Sequence, residues 1–460
     1  MDNFSYMGHL SQSAFPVAYA ITEKRGASGI EFLESFICSQ EVSGRLSAHL
    51  ASGPLQGHML SFIHRVGAAV ATVKLYRCKR EVIANAISIA ISAPEHPMFP
   101  SSFSPDTKVT CVSGAAVEGM RSAFLAMEGL QGTLDIIEHP AGFIRSFSSL
   151  SIVPDIWGTL GKTWVMDSVS FKYYASCGYS QGPVNAVLNA IGPNSVLPHD
   201  IKSIHLHCPI LTVVMENFST PHYRSGLSVV NINFSSKRSV SAAIIYQGLD
   251  GSFFANSNDE LHYDAIDQLS RKVFIHHSWK HTLDMIMGMD ACLEHAGYPG
   301  VFDTGTSDKT LKKLRAVYRN RTLFSKVELV QLMNLPGGYL RYLLRRMWRS
   351  LVGKMGWSDK SSREVDLSKL KFAIGTSAEL LLSNGTVLKG TCDIPKGFAG
   401  DPCKRVRVLE KFERECYPVY GPDRSKEILK DIMDFGFPSS IQATAVDQLS
   451  NLRTPTKTAP

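Results

Sequence analysis

Two histidines and two lysines of this chain stand at junctions between loops and regular elements, where a rigid scaffold can hold a reactive group. His9 precedes a helical stretch in a polar turn. His58 follows Gly53-Pro54 and Gly57 and comes just before a run of small residues. Lys108 lies in a Ser/Pro/Asp-rich loop ahead of a helix expected near Ser113. Lys172 follows an alternating stretch expected as a strand and precedes Tyr173-Tyr174 and a glycine-containing loop. Imidazoles exchange protons near neutral pH, and ammonium groups fix carboxylates as point charges. Each residue taken singly is an ordinary polar side chain. The four together suit an anionic, carboxylate-rich substrate.

Other reactive types carry less. Cys177, in Ser176-Cys177-Gly178, is a nucleophile by type, but spacing fixes no base beside it, so a buried thiol is the better reading. His205 and His207 alternate on one strand face, and His276-His277 stand together. No third ligand has clear spacing, so no metal is assigned. Neither GxGxxG nor GxxxxGKS/T occurs, which leaves no nucleotide-binding fingerprint.

The elements that must position these groups fall into two textures. Up to about residue 150 the chain reads as helical. A helix is expected over 14–23, then a second with Ser28 as N-cap and Ile30, Leu33, Phe36, Ile37, Val42 and Leu46 at helical spacing. Small residues at 67–71, an amphipathic stretch at 81–92 and an Ala/Gly-rich stretch at 113–128 imply a tight bundle. Around Trp164 the texture changes. Residues 165–172 alternate, 183–191 read as a helix, and 201–206 and 227–234 read as strands. Residues 239–246 read as helix, 379–391 as a hairpin turning at Asn384-Gly385, and 411–416 and 424–435 as helices.

Composition bounds the rest. At 460 residues the chain is long enough for two or three domains, and 44% hydrophobic residues exclude a mainly disordered one. No apolar run nears the ~18–20 residues of a membrane span. Nine cysteines without a CxxC pair form neither a disulfide framework nor a zinc site and fit a reducing compartment. The net charge of +7 is concentrated: from Lys309 to Lys354 twelve basic residues face one acid, Glu328, leaving the remainder at −4. Residues 339–349 form a basic, aromatic, amphipathic helix. Read alone, it is a solvated surface insertion, with an anionic membrane surface or nucleic acid as the alternatives.

A resemblance emerges from the order of short motifs. It runs from His9 to Pro16 and Arg25-Gly26-Ala27-Ser28-Gly29, through Gln40-Glu41-Val42 with Arg45-Leu46, to Gly57-His58 and Gly67-Ala68-Ala69. It continues through Thr107-Lys108, Ser113-Gly114-Ala115-Ala116, Gly142-Phe143 and the stretch from Phe171 to Cys177. It closes with Asn384-Gly385, Pro395-Lys396-Gly397 and Lys411-Phe412. This pattern resembles the MmgE/PrpD family, which contains 2-methylcitrate dehydratase and cis-aconitate decarboxylase.

The resemblance implies an α+β fold: a mostly helical domain plus a smaller α+β domain, with the active site between them and no metal or organic cofactor. The family's histidines fall on His9 and His58 and its lysines on Lys108 and Lys172. Departures are visible. The family's Asp-containing motif would fall before Met1, so a helical domain shortened at its N-terminus is expected. Leu10 replaces a proline, Gln181 a histidine, and Arg238 a tyrosine. Residues 300–370 match nothing in the family. The expected layout is a helical domain over 1–160, α+β parts at 161–300 and 371–410, and a basic insertion at 301–370. C-terminal helices at 411–436 and a disordered tail at 437–460 complete it.

The activity implied is dehydration of 2-methylcitrate or an alkylcitrate-like tricarboxylate, of the kind found in fungal secondary metabolism. His58 would transfer the proton, Lys108 and Lys172 would hold carboxylates, and His9 would assist. Arg238 and Cys177 are the further substrate-binding candidates. Decarboxylation of cis-aconitate to itaconate, or a non-catalytic partner of an intact paralogue, are the alternatives. A homodimer without nucleic acid is implied, in the cytoplasm or, were the N-terminus longer, the mitochondrion.

Overall fold

The computed structural model describes residues 3–4, 8–49, 60–92, 107–147, 155–193, 196–219, 229–251, 260–292, 330–331, 333–354 and 365–435. His58 and the tail after residue 435 lie outside them.

In chain order the main elements begin with β1 (Asn3–Phe4), α1 (Ser11–Arg25), α2 (Gly29–His49), α3 (Leu60–Leu75), α4 (Arg80–Ser92) and α5 (Lys108–Met127). Next come β2 (Ser170–Phe171), α6 (Gln181–Ile191), β3 (Ile201–Cys208), α7 (Ile210–Ser219), α8 (Ser236–Ile245) and α9 (Glu260–Ser270). Then come β4 (Val273–His277), α10 (Trp279–Asp290), α11 (Gly337–Lys354), β5 (Thr376–Leu382), β6 (Val387–Cys392), α12 (Lys404–Tyr420) and α13 (Pro422–Met433). The fold is α+β, mostly helical with a small mixed sheet, as the motifs imply.

Local chemistry sets the helical bundle. Ser28 and Glu31 form a reciprocal cap at the start of α2: the Ser28 amide donates to the Glu31 carboxylate at 3.0 Å, and the Glu31 amide to the Ser28 hydroxyl at 3.4 Å. Ala68, Ala69 and Ala71 are fully buried in α3. A Cβ on Gly119 of α5 would stand 2.2 Å from the Arg65 carbonyl oxygen, so α3 and α5 approach at a distance only glycine permits.

A buried ion pair joins the bundle to the 156–166 segment. Arg45 and Glu41, on one face of α2, are both buried. Arg45 donates to the Ile156 carbonyl, to Thr159 Oγ1 at 2.9 Å and to the Thr163 carbonyl at 2.6 Å. Glu41 accepts from the amides of Val165 and Met166 at 3.0 and 3.2 Å. The pair thus threads the segment leading to Lys172, and hydrogen bonds on both ions offset the cost of burying them.

The four-stranded sheet has the order β4-β3-β5-β6. β3 and β4 run parallel, and β3–β5 and β5–β6 antiparallel. Helices α6, α8 and α9 bury one face through Val184, Val187, Ile204, Leu206, Val240 and Ile266. A Cβ on Gly390 of β6 would lie 2.3 Å from the Ala186 carbonyl oxygen, so α6 sits directly on the strand. A second core runs through both parts of the chain, from Leu10, Leu46 and Phe62 to Met285, Phe372 and Phe398.

Two expectations are corrected. The stretch 227–234 is not a strand where described: Val229–Asn233 is one turn of helix, with Ile232 fully buried and Ser235 capping α8 behind it. Alternation over so few residues fits either form. The stretch 165–172 becomes a 3-10 turn, Val165–Ser168, succeeded by the two-residue β2. Within the segment expected as an insertion, Val365, Leu367 and Leu370 are buried in this second core.

Candidate functional site

Lys172 directly follows β2, and three separate parts of the chain converge there. β1 pairs antiparallel with β2, Asn3 opposite Phe171 and Phe4 opposite Ser170, so the N-terminal stretch leading to His9 is anchored at this strand. The 395–403 loop docks on the other side. The Phe171 amide donates to the Gly397 carbonyl at 2.8 Å, and the Ala399 amide to Ser170 Oγ at 2.9 Å. Asp401 shapes that loop by accepting from the amides of Gly397 and Cys403 at 2.7 and 2.9 Å.

α12 is the third part, and its cations grip main-chain carbonyls. Lys404 Nζ donates to the carbonyls of Asp167 and Val169 at 3.1 and 3.0 Å. Lys411 Nζ donates to the Lys172 carbonyl at 2.7 Å, and Arg414 to that of Tyr173. The Tyr173 ring has the Arg414 guanidinium 4.5 Å and the Lys396 ammonium 5.1 Å from its centre. Its hydroxyl donates to Glu410 Oε2 at 3.1 Å, and Arg407 holds the same carboxylate at 2.8 and 2.9 Å.

Electrostatics follow from this packing. Burial and the nearby Arg407 guanidinium push the Lys396 amine below its ordinary range. Burial pushes the Tyr173 hydroxyl up. The hydrogen bond from Arg407 holds Glu410 below the usual carboxylate range. A cleft of about 260 Å³ opens between β2 and α12. Lys172, Arg407 and Lys411 stand in its wall with apolar Phe171, Val408 and Phe412. Glu415 is the acid of the same wall, and the mixture of cations and apolar side chains can meet a carboxylate and an apolar group together.

The remaining candidates are placed unevenly. His9 lies between β1 and α1, and its carbonyl accepts from the Gln12 amide at 3.1 Å. Lys108 is the first residue of α5. Cys177 is half-buried at the turn before α6, its amide donating to the Asn233 carbonyl at 3.0 Å. Gln181 organises that turn: it accepts from the Tyr174 amide at 2.9 Å and donates to Ser176 Oγ at 2.9 Å. Arg238 pairs with Asp267 of α9 at 2.7 Å. Burial works against the Asp267 charge, but Arg238 and Arg271 outweigh it and hold the carboxyl below its ordinary range. The Arg238 charge is thus engaged within the fold.

On the open face of the sheet His205 Nδ1 and His276 Nε2 stand 3.0 Å apart, and His207 stacks on His276. Among the described residues no three His, Cys, Asp or Glu are grouped to hold a metal ion. Sequence reasoning did not single out Lys396, Arg407 or Lys411 as site residues. For Lys396 and Lys411 the signal was present, since both lie in motifs that carry the resemblance.

Residues 2–152 match the MmgE/PrpD N-terminal domain. The first third of the chain is thus similar to MmgE/PrpD N-terminal domains. Cis-aconitate decarboxylase of Homo sapiens is 28% identical over 234 residues, 47% of this chain and 47% of that one. Cis-aconitate decarboxylase of Mus musculus is 30% identical over 175 residues, 36% of this chain and 35% of that one. The matched stretch thus spans less than half of each of these relatives.

Proposed function

We propose that this chain is a lyase acting on a small tricarboxylic acid of the citrate and aconitate series. The observation that carries the reading is the convergence of Lys396, Arg407 and Lys411 on Lys172 and Tyr173 beside the cleft. Loss of carbon dioxide and loss of water from such acids both build negative charge on a carbon next to a carboxylate. Fixed cations stabilise that charge more than they stabilise the substrate. In this reading Lys172 and Lys108 hold carboxylates, His58 moves the proton and His9 assists.

Decarboxylation of cis-aconitate is favoured by the two named relatives. The bond from the methylene carbon to its carboxylate breaks and carbon dioxide leaves; the electron pair moves in to form the new CH2=C bond as the old double bond shifts, and the carbon at its far end, next to the other carboxylate, takes up a proton to give itaconate. Dehydration of 2-methylcitrate or a longer alkylcitrate is favoured by the cleft. Phe171, Val408 and Phe412 offer an apolar wall to an alkyl group beside the Lys172 cation. Incubation with each acid, with proton NMR of the products, separates the two. Turnover of neither acid would leave the non-catalytic reading.

A further inference from the structure

α11 is held to the body on one side and open on the other. Tyr339 Oη donates to Asp284 Oδ1 at 2.6 Å, and Arg346 Nη1 donates to Asp290 Oδ2 at 2.6 Å. The Tyr342 hydroxyl shares Asp290. Burial and the hydrogen bond to Asp284 push the Tyr339 hydroxyl up to about 12, which keeps it a donor. Residues 339, 342 and 346 are at helical spacing, so this is one face, fixed to two acids of α10.

The opposite face has a different make. Leu340, Leu344 and Trp348 recur every fourth residue and are 60%, 56% and 68% exposed. Arg341 and Arg345, both exposed, run beside them at the same spacing. α11 contains no acidic residue. An apolar stripe edged by cations rests at a bilayer surface with its apolar side chains among the upper acyl chains and its arginines on the phosphates. Nucleic acid would meet the arginines but leave three large apolar side chains with nothing to contact. No helix among the described residues is long and apolar enough to cross a membrane, so the contact is one of docking.

We infer that the outward face of α11 docks on an anionic phospholipid bilayer. Asp284 and Asp290 hold the helix in place beforehand, so its stripe is presented without a prior ordering cost. The docking is independent of the lyase site.

The test is co-sedimentation of the full chain with phosphatidylcholine vesicles, with and without phosphatidylserine. The chain is expected to pellet with the phosphatidylserine vesicles and to be released by high salt. The L344S/W348S double variant is expected to lose the binding. The R341Q/R345Q double variant is expected to weaken it about 30-fold, at unchanged melting temperature. Wild-type chain left in the supernatant with phosphatidylserine vesicles would overturn the inference. So would variants that pellet like wild type, a solution dimer that L344S/W348S splits, or tighter binding to duplex DNA than to the vesicles.

Discussion

Lys411 sets its ammonium nitrogen 2.7 Å from the carbonyl oxygen of Lys172 and so ties α12 to the residue that succeeds β2. The two lysines therefore have separable roles. Lys411 holds the backbone, and Lys172 keeps its own side chain in the cleft wall. Lys172→Ala is expected to lower turnover by about 10²–10³-fold, the usual cost of removing one fixed charge-stabilising group, with the fold intact. Lys411→Met is expected to lower turnover and melting temperature together. Steady-state rates beside thermal melts separate the two cases.

How much of this is legible in the sequence depends on how far apart the partners lie. The Ser28 cap and the Asn384-Gly385 turn are set by near neighbours, and both form as expected; the reciprocal bond from Glu31 is added by the structure. The helices of the bundle follow from spacing alone. The 229–233 turn escapes, because a two-residue period over five residues does not separate strand from helix. β4 escapes because its outward residues are Phe274 and His276 rather than a plain polar alternation. At the site, Lys172 stands out by its own surroundings. Its tie to Lys411 joins residues 239 apart, and no local pattern encodes it. Arg238 reads as a carboxylate clamp in sequence, but its partner Asp267 lies on another helix.

The Arg45–Glu41 pair yields a stability prediction. Both ions are buried and Glu41 also caps two amides. Removing one partner strands the other, so Arg45→Met or Glu41→Gln is expected to cost about 3–5 kcal/mol in urea unfolding. Replacing both by apolar residues is expected to cost less than the two single changes added together.

Acid stability depends on His281. Burial lowers its pKa from the ordinary 6.5 to about 4, and its Nε2 lies 2.9 Å from Ser377 Oγ. Between these two values the unfolded chain binds a proton that the folded chain refuses. The contribution of His281 is therefore complete above pH 6.5 and is lost as pH falls toward 4. His281→Gln is expected to flatten the slope of unfolding free energy in that window, measured by urea titrations at stepped pH. An unchanged slope would show that His281 is not the group responsible.

Gly390 tests the seat of α6 on the sheet. Any Cβ there meets main-chain atoms of Ala186 and Ala190, which cannot swing aside. Gly390→Ala is expected to destabilise by at least the ~1–3 kcal/mol typical of overpacking. The nearby hairpin glycine Gly385, with nothing within 4 Å of its Cβ position, offers a contrast in which only backbone strain is at stake.

The most direct measurement tracks cis-aconitate and, separately, 2-methylcitrate by proton NMR in the presence of the purified chain and of its Lys172→Ala variant. The expected result is conversion of one of the two acids by the wild-type chain, by loss of carbon dioxide or of water, and near-complete loss of that conversion in the variant. Conversion of neither acid by the wild-type chain, or equal conversion by both proteins, would contradict a tricarboxylate lyase centred on Lys172.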